Sequence, residues 1–408
     1  MEGFLYPNEA EIQWSVLIVL YPYITGLVAG AFIISALHQV FGIKNLEKVA
    51  RLSLLTALAF LLVAPLPLQA HLGRPERGIE IFITPQFRSA MAGFGYIWMF
   101  YFILLTSEVW LVFRKDIVAY ANSSRGVWKT IYTALALGVL EIHEGAAKVD
   151  EKLIKVLAAL GIPAAAMLHG YVGFLFGSVK ANPWWSTPLM PIIFLISAIV
   201  SGIALLMVLY AAVSWIKKEA IDQDCMDTMG KWLLGFLAVA VTVESLEIIS
   251  MLYESEESLE AITALITRRL QISYLVIQLG FGSLLPAVAL VVTQGANLKR
   301  ETKLLIQVVS ASLILVGVFA MRWNVVIGGQ LISKSLRGLN TYVPPIIDRE
   351  GLLVAIPILV LPFVILATLL FVLPVLENEA MPAGSPASTP RRTLRSPFPR
   401  RPARPGSR

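Results

Sequence analysis

Nine long apolar runs divide the chain, at about 14–40, 50–71, 90–113, 153–178, 188–215, 229–253, 272–296, 303–325 and 351–376. Each approaches or exceeds the roughly 20 residues that a helix needs to cross a bilayer. The pattern predicts an all-α polytopic membrane protein. A tenth candidate, Trp128 to Leu140, is only 13 residues long and runs directly into Glu141, His143 and Glu144. That length suits a helix lying flat in the interface. The first run is too long and starts too late for a cleaved leader, and no basic region precedes it.

Charge decides between nine spans and ten. Cytoplasmic loops carry an excess of Lys and Arg. With nine spans, 23 of the 33 Lys and Arg fall on the face that holds the C-terminus and 10 fall opposite; with ten the split is 19 to 14. The sharper bias predicts nine spans, an outside N-terminus and a cytoplasmic C-terminus, in a cytoplasmic-type cell membrane. The acidic start, with Glu2, Glu9 and Glu11 and no early cation, agrees.

Composition supports the pattern. The chain is 57% hydrophobic and 15% charged, against about 25% charged in soluble domains. The net charge of +6 sits in short loops and one tail, which does not point to nucleic acid. One cysteine, Cys225, excludes an intramolecular disulfide and a Cys-ligated iron–sulfur cluster held by this chain alone. Residues 381–408 hold seven Pro and seven Arg and read as a disordered tail, with anionic lipid headgroups a candidate contact.

Polar side chains at membrane depth are costly and mark candidate sites. On nine spans, Tyr21, Gln69, His71, Arg74, His169, Tyr171, Lys180, Arg322 and Asn324 share a depth near the outer face, where Trp184 and Trp185 mark the interface. A quinone would need hydrogen-bond partners for two carbonyls and titratable groups nearby. Tyr171 with His71 or His169 supplies those types. His169 and Tyr171 point about 200° apart on a helix, so one of them is expected to bond a neighbouring helix instead. For His71 a helix cap competes with a ligand role. For Arg322 and Asn324 an ion pair or loop anchor is favoured. Deeper lie Glu108, Glu244 and Glu247, candidate proton carriers, with helix–helix bonding as the competing role. Glu244 and Glu247 share a helix face, and Glu108 is close enough to the basic face to snorkel. A haem would need facing histidines, and only His71 with His169 offers a pair.

Two stretches carry a family resemblance: GYVGFLFGSVKANPWWSTPLMPIIFLISAIVSGIALL and HLGRPERGIEIFITPQFRSAMAGFGYIW. With PNEAEIQWSVLIVLYPYITGLVAG at the start, they closely resemble the NrfD/PsrC family, the membrane subunits of polysulfide reductase and its relatives. The wording is most similar to the DsrP and HmeB subunits of Dsr and Hme complexes, the heterodisulfide-reductase-like menaquinol oxidoreductases. The resemblance implies two four-helix bundles, residues 1–180 (with a cytoplasmic segment at 114–152) and 181–340. An extra span at 341–380 and the tail at 381–408 would follow. It also implies bound menaquinone or menaquinol near Tyr171 and no haem or iron–sulfur cofactor of the chain's own. An extracytoplasmic ferredoxin-like iron–sulfur subunit is the implied partner. A multihaem cytochrome c and a heterodisulfide-reductase-like module are further implied partners. A histidine of the family's first helix falls near Tyr21, and the acidic position before LGRP is His71, so proton handling differs here. The implied role is electron exchange between menaquinol and that partner, linked to sulfur-compound metabolism and to proton translocation. A transporter or channel with Glu244 and Glu247 in its pathway is the alternative. It predicts helices interrupted near Pro22, Pro163 or Pro286.

Overall fold

A computed structural model describes Leu5, residues 11–254 and residues 258–373. The tail at 381–408 lies outside these residues. Among them are nine helices long and apolar enough to cross a membrane. They are α1 (Val16–Gln39), α2 (Lys44–His71), α3 (Ala90–Ser123), α4 (Glu144–Gly177), α5 (Met190–Lys217), α6 (Gln223–Glu254), α7 (Gln271–Gly295), α8 (Arg300–Leu331) and α9 (Leu352–Val372). An all-α polytopic membrane protein is therefore what the apolar runs build. The alternation of nine helices defines two faces. The loops 72–89, 178–189 and 332–351 share one, here the Trp-loop face. The loops 40–43, 124–143, 218–222 and 296–299 share the other, the basic face.

The helices close into two rings. α1 packs on α2, α2 on α3, α3 on α4, and α4 returns to α1. α5, α6, α7 and α8 form a second ring in the same way. The rings meet where α1 crosses α5. A Cβ on Gly30 would strike the Ala198 carbonyl, and one on Gly202 would strike the Gly30 backbone. Glycine at both positions is what lets these two backbones touch. α9 packs on α2.

Several boundaries differ from the apolar runs. α3 and α4 each extend about ten residues beyond them on the basic face, to 34 residues or about 51 Å. Cross-links hold the polar turns helical: Arg114–Asp150 at 2.8 Å, Lys115–Glu151 at 3.5 Å and Arg51–Asp116 at 3.1 Å. The tenth candidate is a ten-residue amphipathic helix, Gly126–Leu135, too short to span. Its Tyr132 hydroxyl donates to the Val372 carbonyl at 2.9 Å and Trp128 packs on Phe371, which ties it to the end of α9. The interruptions expected at Pro22 and Pro163 do not occur, since α1 and α4 run through them. The third, Pro286, sits where the π-helical run of α7, Gln271–Leu284, gives way to α-helix; α2 also breaks at Ala64–Pro65, and α8 carries a π-turn at Asn324–Gly328.

Candidate functional site

The first ring places two tyrosines beneath the Trp-loop face. The Tyr171 hydroxyl of α4 donates to the Ala90 carbonyl at 2.8 Å, and a Cβ on Gly93 would occupy its place. Tyr21 of α1 meets the next residue, Phe94, edge to face at 4.8 Å. Both phenols therefore converge on the first turn of α3, which Ser89 caps through the Ala92 amide. The Tyr21 hydroxyl is buried and has no hydrogen-bond partner. A buried hydroxyl in that state is expensive unless something else satisfies it.

The other residues from the sequence make contacts of their own. Gln69 turns its amide onto the Pro75 carbonyl and closes the LGRP turn. His71 bonds Glu350 at 2.8 Å through Nδ1, and Arg349 donates to the Gly73 carbonyl at 3.2 Å. These contacts clamp the loop before α9 onto the end of α2. Arg74 is exposed. Glu108 lies five turns of α3 further in, about 27 Å from Ala90 along the helix. It does not snorkel: it is fully buried and neither carboxyl oxygen has a partner.

His169 stands apart from the tyrosine pair. It is fully buried at the seam between the rings, where Nε2 faces Arg322 Nη2 at 3.0 Å. With Arg322 as donor only, Nε2 is the acceptor and Nδ1 carries the proton. Arg322 also donates to Ser197 Oγ at 2.7 Å and to the Phe194 carbonyl at 3.4 Å, and its guanidinium covers the Phe194 ring at 4.1 Å. The ion pair expected of Arg322 is not formed among the described residues. A histidine, a hydroxyl and a ring face serve in its place.

Next to this seam the second ring forms a cavity of about 50 Å³, walled by apolar side chains such as Trp184, Met190 and Met321, into which Glu244, Glu247, Tyr274, Gln278 and Asn324 also point. Gln278 donates to Glu244 at 3.3 Å and accepts from Asn324 at 2.8 Å. Asn324 in turn accepts from Ser273 at 2.6 Å. The two π segments thus meet side chain to side chain across the cavity. Trp184 and Trp185 are not an interfacial pair, because both are buried. Their indoles donate to the Asn324 and Val325 carbonyls at 2.9 and 2.6 Å and pin the loop to the π-turn of α8. Sequence reasoning missed Gln278, Ser197 and Glu350. The first two are lone polar residues in apolar runs and carried the same signal as those it found.

These features define a polytopic membrane protein with a tyrosine pair in one four-helix ring and an acid-lined cavity in the other. The chain matches the family described as Polysulphide reductase, NrfD, over residues 6–334, and belongs to that family. It is 30% identical over 370 residues to the protein named as the C-subunit of selenate reductase in Mesobacillus selenatarsenatis, covering 86% of this chain and 84% of that one. It is 32% identical over 230 residues to a Halobacterium salinarum protein named as the membrane C-subunit of a dimethyl sulfoxide reductase, covering 56% and 50%. It is also 24% identical over 241 residues to the Hdr-like menaquinol oxidoreductase integral membrane subunit of Archaeoglobus fulgidus, covering 58% and 52%.

Proposed function

We propose that this chain is the quinol-reactive membrane subunit of a multisubunit redox complex. In this reading, menaquinol binds beside Tyr171 and Tyr21, and electrons pass to or from an iron–sulfur partner on the Trp-loop face. That face is extracytoplasmic by the excess of cations opposite it. The observation that carries the reading is the buried, partnerless Tyr21 hydroxyl beside Tyr171 at the start of α3. Such a pair suits a ligand with a carbonyl or hydroxyl oxygen, and the exposed apolar side chains of α3, Met91, Phe100 and Ile103, suit an isoprenoid tail. The relatives named for selenate and dimethyl sulfoxide reductases, and the one named for menaquinol, support an oxidoreductase assignment. The partner's substrate is assigned to oxidised sulfur compounds or their selenium analogues.

A bound quinol supplies two electrons and two protons when it is oxidised. Tyr21 donates to the ring oxygen, which gives its hydroxyl the partner it lacks. Tyr171 exchanges its bond to Ala90 for one to the same oxygen, a switch that keeps its hydroxyl satisfied throughout. The His71–Glu350 pair holds the loop over this end of the ring and offers a proton acceptor nearby. Exposed apolar side chains outside the spans, among them Ile83 (68% exposed), Phe87 (83%), Val343 (83%) and Ile347 (85%), suit a protein partner on that face.

Removing one hydrogen bond to a buried oxygen costs about 1–3 kcal/mol, a factor of about 5 to 150 in rate. Quinol oxidation by the assembled complex should therefore fall by that factor in Tyr171→Phe and in Tyr21→Phe. Wild-type turnover in both, with normal assembly, would remove the tyrosine pair from the reaction.

A further inference from the structure

We propose that a cleft on the basic face, between the end of α5 and the start of α8, binds the headgroup of a zwitterionic aminophospholipid such as phosphatidylethanolamine. The proposal is independent of the redox assignment.

The cleft has a volume of about 840 Å³, within the range of about 300–1,000 Å³ of small-molecule sites. Helix length sets its depth. α5 has 28 residues, or about 42 Å at 1.5 Å per residue. The hydrocarbon layer is about 30 Å thick, and about 40–45 Å with both headgroup layers. The last turn of α5 therefore lies at headgroup level. Trp215 and Ile216 of that turn line the cleft and are 81% and 71% exposed. An indole at this level rests its ring on lipid and turns its N–H toward polar atoms.

Charge selects the occupant. Lys218, Glu219, Arg300 and Glu301 line the same cleft, two cations and two carboxylates. Among the described residues none of the four enters a salt bridge. Their neighbours on this face behave differently, since Lys48–Asp222 and Lys303–Asp227 each close at 2.6 Å. Arg300 donates to the Ile221 carbonyl through one nitrogen, which leaves the donors of its other nitrogens for a ligand. Lys218 holds a left-handed backbone, φ +55°, at a cost of about 1 kcal/mol or more for a residue with a Cβ. That turn ends α5, and both Lys218 and Glu219 then line the cleft.

These groups match one headgroup chemistry. A phosphodiester accepts from Lys218 and Arg300, and a primary ammonium donates to Glu219 and Glu301, all charge-assisted bonds. A choline headgroup has no N–H to donate to the carboxylates. A glycerol headgroup brings a net negative charge beside them. One bound lipid would bridge α5, the loop to α6 and α8 at the basic end of the second ring.

The test uses the whole complex in nanodiscs of phosphatidylcholine. Each preparation contains a small fraction of one probe, a phospholipid with an ethanolamine, glycerol or choline headgroup and the same photoreactive group near the top of one acyl chain. Label is mapped on residues 214–221 and 300–304. The ethanolamine probe should label them at least about fivefold more than either of the others, the equivalent of one hydrogen bond. Glu219→Gln combined with Glu301→Gln should abolish its advantage over the glycerol probe. Lys218→Gln should lower its labelling about threefold or more. All three side chains are exposed, so these variants keep the fold. Equal labelling by the three probes, a wild-type preference for glycerol, or an ethanolamine advantage that survives the double substitution overturns the proposal. So does unchanged labelling of Lys218→Gln, or no label because a protein subunit covers the cleft.

Discussion

His169 and Tyr171 occupy the same helix two positions apart, and they serve different rings. Helical geometry turns them about 200° from each other, so Tyr171 meets α3 and His169 meets Arg322 at the seam. The first consequence is energetic. Arg322 is fully buried and depends on neutral acceptors. His169→Phe takes one away and should destabilise the complex by about 1–3 kcal/mol, seen as a lower melting temperature in detergent. His169→Gln, which keeps an acceptor, should recover part of the loss. Equal melting temperatures for wild type and the phenylalanine variant would show that Arg322 does not need the bond. At this scale the sequence was informative about identity and silent about partners. Each polar residue stood out against an apolar run. Arg322 finds its acceptor 153 positions away, however, and no local pattern encodes a contact between two helices of different rings. The buried tryptophans misled for a similar reason. An aromatic pair at a helix end looks the same whether it faces lipid or the π-turn of α8.

At the scale of the elements, apolar length located all nine helices but not their ends. α3 and α4 continue past the apolar runs because charged side chains pair across them, and a pairing such as Arg114–Asp150 is a tertiary fact. The π-helical segments were equally invisible, since their residues have the composition of any apolar span. The start of α6 shows how a loop residue sets a boundary. Asp222 bonds Lys48 of α2 at 2.6 Å and caps α6 through the Asp224 and Cys225 amides at 3.0 and 3.3 Å. The Lys48 bond, helped by the capping amides, holds the Asp222 carboxyl below the usual carboxylate range. A carboxyl depressed on folding stabilises above its unfolded value near pH 4. That contribution is lost as pH falls through the lower folded value. The pair is partly exposed, so screening limits it to about 1 kcal/mol or less. Asp222→Asn should therefore lower the melting temperature slightly at pH 7, and the difference from wild type should close as pH falls below about 4. A difference that did not narrow at all as pH fell further would assign the effect to the cap geometry alone.

Among the described residues the two rings are joined where α1 and α4 of the first pack on α5 of the second. At this seam α4 of the first ring comes within reach of Arg322 on α8 of the second. The tyrosine pair lies on one side of that seam and the acid-lined cavity on the other. Motif and apolar pattern together made the family and the all-α architecture legible in the sequence. The division of labour between the rings was not, because it rests on which way side chains turn at the seam. The central claim is that quinol reacts in the first ring. The most direct test is to irradiate the assembled complex with a photoreactive azidoquinone and map the modified peptides. Label on the first half of α1, the first turns of α3 and the end of α4, competed by menaquinol, is the predicted result. Label confined to the cavity of the second ring, around Glu244 and Tyr274, would contradict it.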